Sequence, residues 1–194
     1  MPASPRKITP RILSVAPVLM KWSLSQKLNA TERLIKDHLN FVRSLTRIRM
    51  YHWLLQPLTT NGTQGPAPLT ELRQRRTRAL IALRDALETH FYIEEEVILP
   101  ELNSIPSLKS HPKSVLEEHK NLRAIIKELS HPGLAERPFE RKLHALSVAL
   151  HQHIRHEERE ILPVLVNQLS PARLLQLGHQ MMNMKKPPKI ESAA

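Results

Sequence analysis

The chain has 194 residues and no cysteine, and 29 Lys plus Arg against 18 Asp plus Glu give it a formal net charge of +11. That length suits one domain with one substantial core, and the lack of cysteine excludes disulfides, sulfur-ligated zinc, iron–sulfur clusters and thiol nucleophiles. The charge admits an anionic partner such as nucleic acid, yet nothing around the dense cluster of Arg73, Arg75, Arg76 and Arg78 reads as a helix-turn-helix, a zinc finger or an aromatic RNA-binding platform.

Scarce glycine, and leucine, isoleucine and alanine recurring among charged residues, predict an all-α fold. Residues 1–30 read as a partly irregular, proline-rich extension. Its apolar run, Ile12 to Met20, is interrupted by Pro17 and has no small-residue cleavage site after it. A secretory signal is therefore not expected, no stretch is long enough to span a membrane, and the expected compartment is the cytoplasm. A four-helix bundle is predicted over residues 31–169. The first helix runs from about Ala30 to Gln56, capped by Thr31 and ended by Pro57, with Leu34, Ile35, His38, Phe41, Val42 and Leu45 at three- and four-residue steps. Gln56 to Thr70 reads as a loop.

The second helix spans about Thr70 to Leu99, with Leu80, Leu83, Leu87, His90, Phe91, Glu94 and Ile98 on one face and Pro100 ending or bending it. A third begins near Pro112, where Ser114 and Glu117 suggest a capping box, and stops at His131–Gly133. The fourth runs from about Pro138 to Leu169, with Pro163 late in it. Within residues 170–194, Ser170 and Pro171 start a short terminal helix, and the tail reads as disordered. Short connections favour antiparallel neighbours, hence an up-down-up-down four-helix bundle with a short extra C-terminal helix.

The chemistry lies in a repeat. HFYIEEEVILP, from His90 to Pro100, and HIRHEEREILP, from His153 to Pro163, share His, Glu-Glu and Ile-Leu-Pro at identical offsets. The first and third helices carry a second matching pair, Asp37-His38 and Glu118-His119, each followed two residues on by an asparagine. Residues i and i+4 lie about 40° apart around a helix and about 6 Å apart along it, so His90 points with Glu94 and His153 with Glu157. The leucine stripes point the same way. The expected result is a buried layer of four imidazoles and two carboxylates, and burying ionised carboxylates without partners is costly. Two metal ions would supply the charge. Glu94 and Glu157 could bridge both, with His38 and His90 on one ion and His119 and His153 on the other. Nitrogen and oxygen donors without sulfur suit iron first, manganese or zinc next.

At these residues the sequence resembles the hemerythrin-like HHE cation-binding family, whose hallmark is His…HxxxEExxxLP given twice. The resemblance covers roughly residues 31–169. It implies an up-down-up-down bundle with a non-haem di-iron centre, two irons per chain joined by an oxo or hydroxo bridge, ligated by His38, His90, Glu94, His119, His153 and Glu157. Two positions depart from the oxygen carriers of the family. Arg123 stands where they place a further histidine, and Glu157 follows its histidine by four residues where they use an aspartate at five. The resemblance thus implies reaction with oxygen, peroxide or nitric oxide, or iron sensing, in place of reversible oxygen transport. Ferritin-like Glu-x-x-His spacing occurs only at Glu128–His131, and the zinc-protease pattern HExxH is absent.

Other candidates are assigned plainer roles. Glu95 and Glu158 are expected on a solvated face or in helix–helix ion pairs, and Asp37 and Glu118 on the surface, although carboxylates there could orient imidazoles of neighbouring helices. His156 is the one candidate for a seventh ligand. His52 faces inward, too far along its helix to share the layer, and Tyr51 and Tyr92 read as packing residues. Three functions stay open: a di-iron protein that binds or turns over a small oxidant such as O2 with a redox partner, an iron- or oxygen-sensing module without turnover, and a basic scaffold for an anionic partner.

Overall fold

A computed structural model describes residues 28–59, 67–131 and 133–184, and every regular element among them is helical. Helix α1 spans Ala30–Thr59. Helix α2, Ala67–Ile93, continues through a π turn, Glu94–Ile98, into α3, Leu99–Asn103. A short 3-10 turn, Pro106–Leu108, leads to α4, His111–Leu129. Helix α5, Glu136–His156, likewise passes through a π turn, Glu157–Ile161, into α6, Leu162–Gln168, and α7 spans Pro171–Asn183. Helix α1 packs on α2, α4 on α5, and α7 on α1. None of the described helices is long and apolar enough to cross a membrane. The N-terminal extension, the middle of the predicted loop and the tail lie outside the described residues.

Several termini differ from the sequence expectation. The cap of α1 is Asn29, with Thr31 inside the helix: Glu32 N–H donates to Asn29 Oδ1 at 3.1 Å and Asn29 N–H donates to Glu32 Oε2 at 2.9 Å. This is a capping box that begins two residues earlier than expected. The backbone of α1 also passes Pro57, because a proline near the end of a helix costs one hydrogen bond without stopping the last turn. Ser114 does not cap α4; its hydroxyl donates to His111 O at 2.9 Å. Ser170 does cap α7, accepting from Arg173 N–H at 3.2 Å.

Helix continues past both Pro100 and Pro163. Leu99 N–H donates to Glu94 O, and Leu162 N–H to Glu157 O, each five residues back. The wider turn takes up one extra residue directly before a proline that has no N–H to offer. The shared Ile-Leu-Pro thus marks a π turn in each copy.

Two apolar clusters form the core. One gathers Leu34, Val97, Ile98, Val115, Ile161 and Leu165 with Leu177 and Met181 of α7. The other gathers Phe41, Leu45, Leu87, Phe91, Leu122, Leu129, Phe139 and Leu150. Leu116 of α4 is exposed. At the far end of the second cluster Arg76 leaves the basic patch and is buried. It donates twice to Glu136, at 2.6 and 3.0 Å, lies 3.0 Å from His52 Nδ1 and covers the Phe139 ring at 4.1 Å. One member of the arginine cluster is therefore structural.

Helix α7 closes the first cluster through Gly178. A Cβ there would meet Leu28 O at 2.8 Å, Asn29 C at 3.0 Å and Ala30 N at 3.1 Å, all backbone at the start of α1. Gly178→Ala is expected to destabilise the chain by about 1–3 kcal/mol, the usual cost of overpacking. Urea unfolding measures it; an unchanged or raised midpoint would mean that α7 does not pack this closely.

Candidate metal centre

Between the two apolar clusters lies a polar storey. Along α1 the order is Leu34, His38, Phe41; along α2 it is Phe91, Glu94, Val97; along α4 it is Val115, His119, Leu122. The run α5–α6 follows suit, with Leu150, His153, Glu157 and Ile161. All six predicted ligand residues are buried in this layer.

One helical turn separates His90 from Glu94 and His153 from Glu157, so Nε2 and carboxylate approach to 3.3 and 3.8 Å. Across helices, His38 Nε2 lies 3.0 Å from Glu157 and His119 Nε2 lies 3.2 Å from Glu94. Two sets result: His38, His90, Glu94 and Glu157, and His119, His153, Glu94 and Glu157. Within each, one ligand atom per residue lies within 4.8 Å of all the others, so each set could hold a metal ion. The two glutamates belong to both.

The inward-facing atoms are otherwise unsatisfied. Nε2 of His38, His90, His119 and His153, both oxygens of Glu94 and Oε2 of Glu157 are buried without an aligned hydrogen bond, short separations notwithstanding. Buried polar atoms are rarely left so. Seven convergent nitrogen and oxygen donors fit a pair of cations.

The outward nitrogens of three of these imidazoles are engaged, by residues for which plainer roles were expected, and His90 Nδ1 is left without a hydrogen bond. His38 Nδ1 lies 2.9 Å from Glu158 Oε1, His119 Nδ1 2.8 Å from Glu95 Oε1, and His153 Nδ1 2.9 Å from Glu118 Oε2. Asp37 faces His90 Nδ1 at 3.6 Å, just beyond hydrogen-bond range. Each carboxylate sits beside a ligand residue of its own helix and faces the histidine of another. The sequence placed Glu95 and Glu158 correctly, about 100° round from the ligand glutamates. That direction points to the adjacent helix, where an imidazole waits, and not to solvent alone. Arg123 is not free. It pairs with Glu88 at 2.9 Å and Glu95 at 2.8 Å, so it secures the carboxylate behind His119. His156 belongs to neither set; its Nδ1 lies 2.8 Å from Glu118 Oε1.

Aromatic rings wall the layer. Phe91 stacks on His119 with centroids 4.1 Å apart, and Phe41 meets His90 edge-on at 4.9 Å. Burial pushes His90 down to about 4 and also lowers His119. It raises Glu94 well above the usual carboxylate range, helped by the charge of Glu157. Burial opposes ionisation of Glu157 too, but His153, His38 and His90 hold its carboxyl well below that range. For His38, burial is outweighed by Glu157 and Glu158, and the ring is raised to about 9. Glu95 is held down to about 2: burial opposes this, and His119 and Arg123 overcome it.

A family model described as Hemerythrin HHE cation binding domain matches residues 29–165. A comparison with curated proteins returns no match.

The raised Glu94 has a consequence of definite sign in the metal-free chain. Its carboxyl is neutral in the fold and ionises in the unfolded chain above about 4.5. Its favourable contribution is therefore complete below that value and fades as pH rises towards the folded pKa. In thermal melts of chelator-treated protein, Glu94→Gln is expected to gain on wild type as pH rises above about 4.5. A difference that stays constant with pH would show that Glu94 ionises as freely in the fold as in solution.

Proposed function

The chain belongs to the hemerythrin HHE cation-binding family, and we propose that it holds two iron ions between its helices and reacts there with a small oxidant such as oxygen, peroxide or nitric oxide. His38 and His90 would hold one ion, His119 and His153 the other, and Glu94 and Glu157 both. The observation that carries this reading is the set of buried, unaligned Nε2 and carboxylate atoms that converge in one storey. Manganese or zinc would suit the same donors, and the four-imidazole, two-carboxylate set favours iron. Bound iron would supply Lewis acidity and electrons at that layer.

The chain's own residues set the conditions. Glu95, Glu118 and Glu158 would orient the imidazoles of His119, His153 and His38 and direct their Nε2 lone pairs inward, as carboxylates behind ligand histidines do, and Asp37 faces His90 at 3.6 Å. Phe41, Phe91 and the two apolar clusters keep bulk water from the layer. A small cavity of about 130 Å³ is lined by Leu28, Arg33, Lys36, Asp37, Ile93 and Met181. Asp37, which faces His90, lines part of it.

The bundle itself reads as up-down-up-down. His38 faces His90 while His52 meets Arg76, and Glu118 meets His153 while Glu128 pairs with Lys142. Both patterns run in opposite senses along the paired helices. Because four helices contribute to one layer, occupancy is coupled to folding. That coupling favours a second reading, an iron- or oxygen-responsive module without turnover.

Iron-replete expression followed by metal analysis tests the central point. About two irons per chain are expected, and Glu94→Ala or Glu157→Ala should lose metal and thermal stability together. If both variants keep two irons, the bridging assignment is wrong. Oxygen or peroxide consumption by the reduced, iron-loaded protein separates turnover from sensing.

A further inference from the structure

His156 sits outside both core sets, yet it is oriented in the same way as their histidines. Its Nδ1 lies 2.8 Å from Glu118 Oε1, the carboxylate whose other oxygen serves His153. Glu118 accepts from the Nδ1–H of His156, which leaves Nε2 as the lone-pair nitrogen. That nitrogen points away from the core and lies 2.8 Å from His111 Nδ1, on the first residue of α4. Glu160 follows His156 by four residues, the spacing of both core His–Glu pairs. One ligand atom each from His111, His156 and Glu160 lies within 4.8 Å of the other two.

We propose that His111, His156 and Glu160 form a separate, solvent-facing site for a divalent first-row transition cation such as Zn(II) or Fe(II). Two imidazoles and one carboxylate without sulfur are a donor set that such ions favour, and three protein ligands leave positions for water. The two rings are half-buried and Glu160 is exposed, so the ion can enter without opening the bundle. The carboxylate offsets part of the cation's charge, and Glu118 behind His156 supplies the supporting acceptor that three of the core histidines also have. Neither His111 nor Glu160 contributes to the core sets, so this site is distinct from the one proposed above and stands or falls without it. The competing account of the same geometry is a plain hydrogen bond between two surface histidines.

Zinc decides between them. The full chain, with its core as loaded by iron-replete expression, is dialysed against zinc chloride, and zinc and iron are both counted. Wild type should take up about one further zinc per chain with no loss of iron. His111→Ala and Glu160→Gln should each weaken that uptake roughly tenfold or more, with iron content unchanged. These two variants are chosen because His156 adjoins Glu157 and shares Glu118 with the core. Zinc uptake matched by iron release, no uptake in wild type, or uptake in both variants equal to that of wild type would overturn the proposal. A core that holds no iron would refute the di-iron reading alone, since the difference between wild type and His111→Ala isolates this site.

Discussion

Six buried ligand-type side chains, held between two apolar clusters, are the constraint around which the rest of this molecule is arranged. A layer of imidazoles and carboxylates in the middle of a core is unfavourable by itself, because desolvation penalises the charged forms and the inward atoms lack hydrogen-bond partners. The opposed shifts of Glu94 and Glu157 are the local expression of that cost: one carboxyl stays neutral so that the other can ionise against His38. Cations placed between the donors would remove the conflict.

On the outward side of the layer three of the four imidazoles are hydrogen-bonded to carboxylates of neighbouring helices, and the fourth faces one at longer range. Asp37 of α1 faces His90 of α2, Glu95 after α2 serves His119 of α4, Glu118 of α4 serves His153 of α5, and Glu158 after α5 serves His38 of α1. Each helix thus gives a histidine to the layer and a carboxylate to a neighbour's histidine. Arg123 adds to this arrangement by fixing Glu95 from α4 and Glu88 from α2. The π turns belong to the same design. Both begin at a buried glutamate of the layer and precede a proline, so the widened turn sits where the backbone presents one carboxylate inward and the next sideways.

Much of this was legible in the sequence because helical periodicity converts spacing into direction. The all-helical class, the burial of the six ligand-type residues and their grouping into two sets follow from His-x-x-x-Glu given twice on leucine stripes. The family was legible from the same repeat. What the sequence hid depends on neighbours. A residue 100° from the core-facing position looks solvated until the adjacent helix is in place, which is why Glu95, Glu118 and Glu158 were undervalued and Arg123 read as a gap. The burial of Arg76 was hidden for the same reason, since its partners Glu136 and Phe139 come from a distant helix. Pro100 was expected to end or bend its helix, but the helix continues past it through a π turn, and local propensity has no term for a turn that widens to admit a proline.

The account rests on metal ions occupying the polar storey with the ligands named, and anomalous diffraction at the iron edge from crystals of the iron-loaded chain tests it most directly. The expected map has two iron peaks between the apolar clusters, one about 2.1 Å from Nε2 of His38 and His90, the other the same distance from Nε2 of His119 and His153, with Glu94 and Glu157 on both. A single peak, or iron bound away from these six side chains, would contradict it.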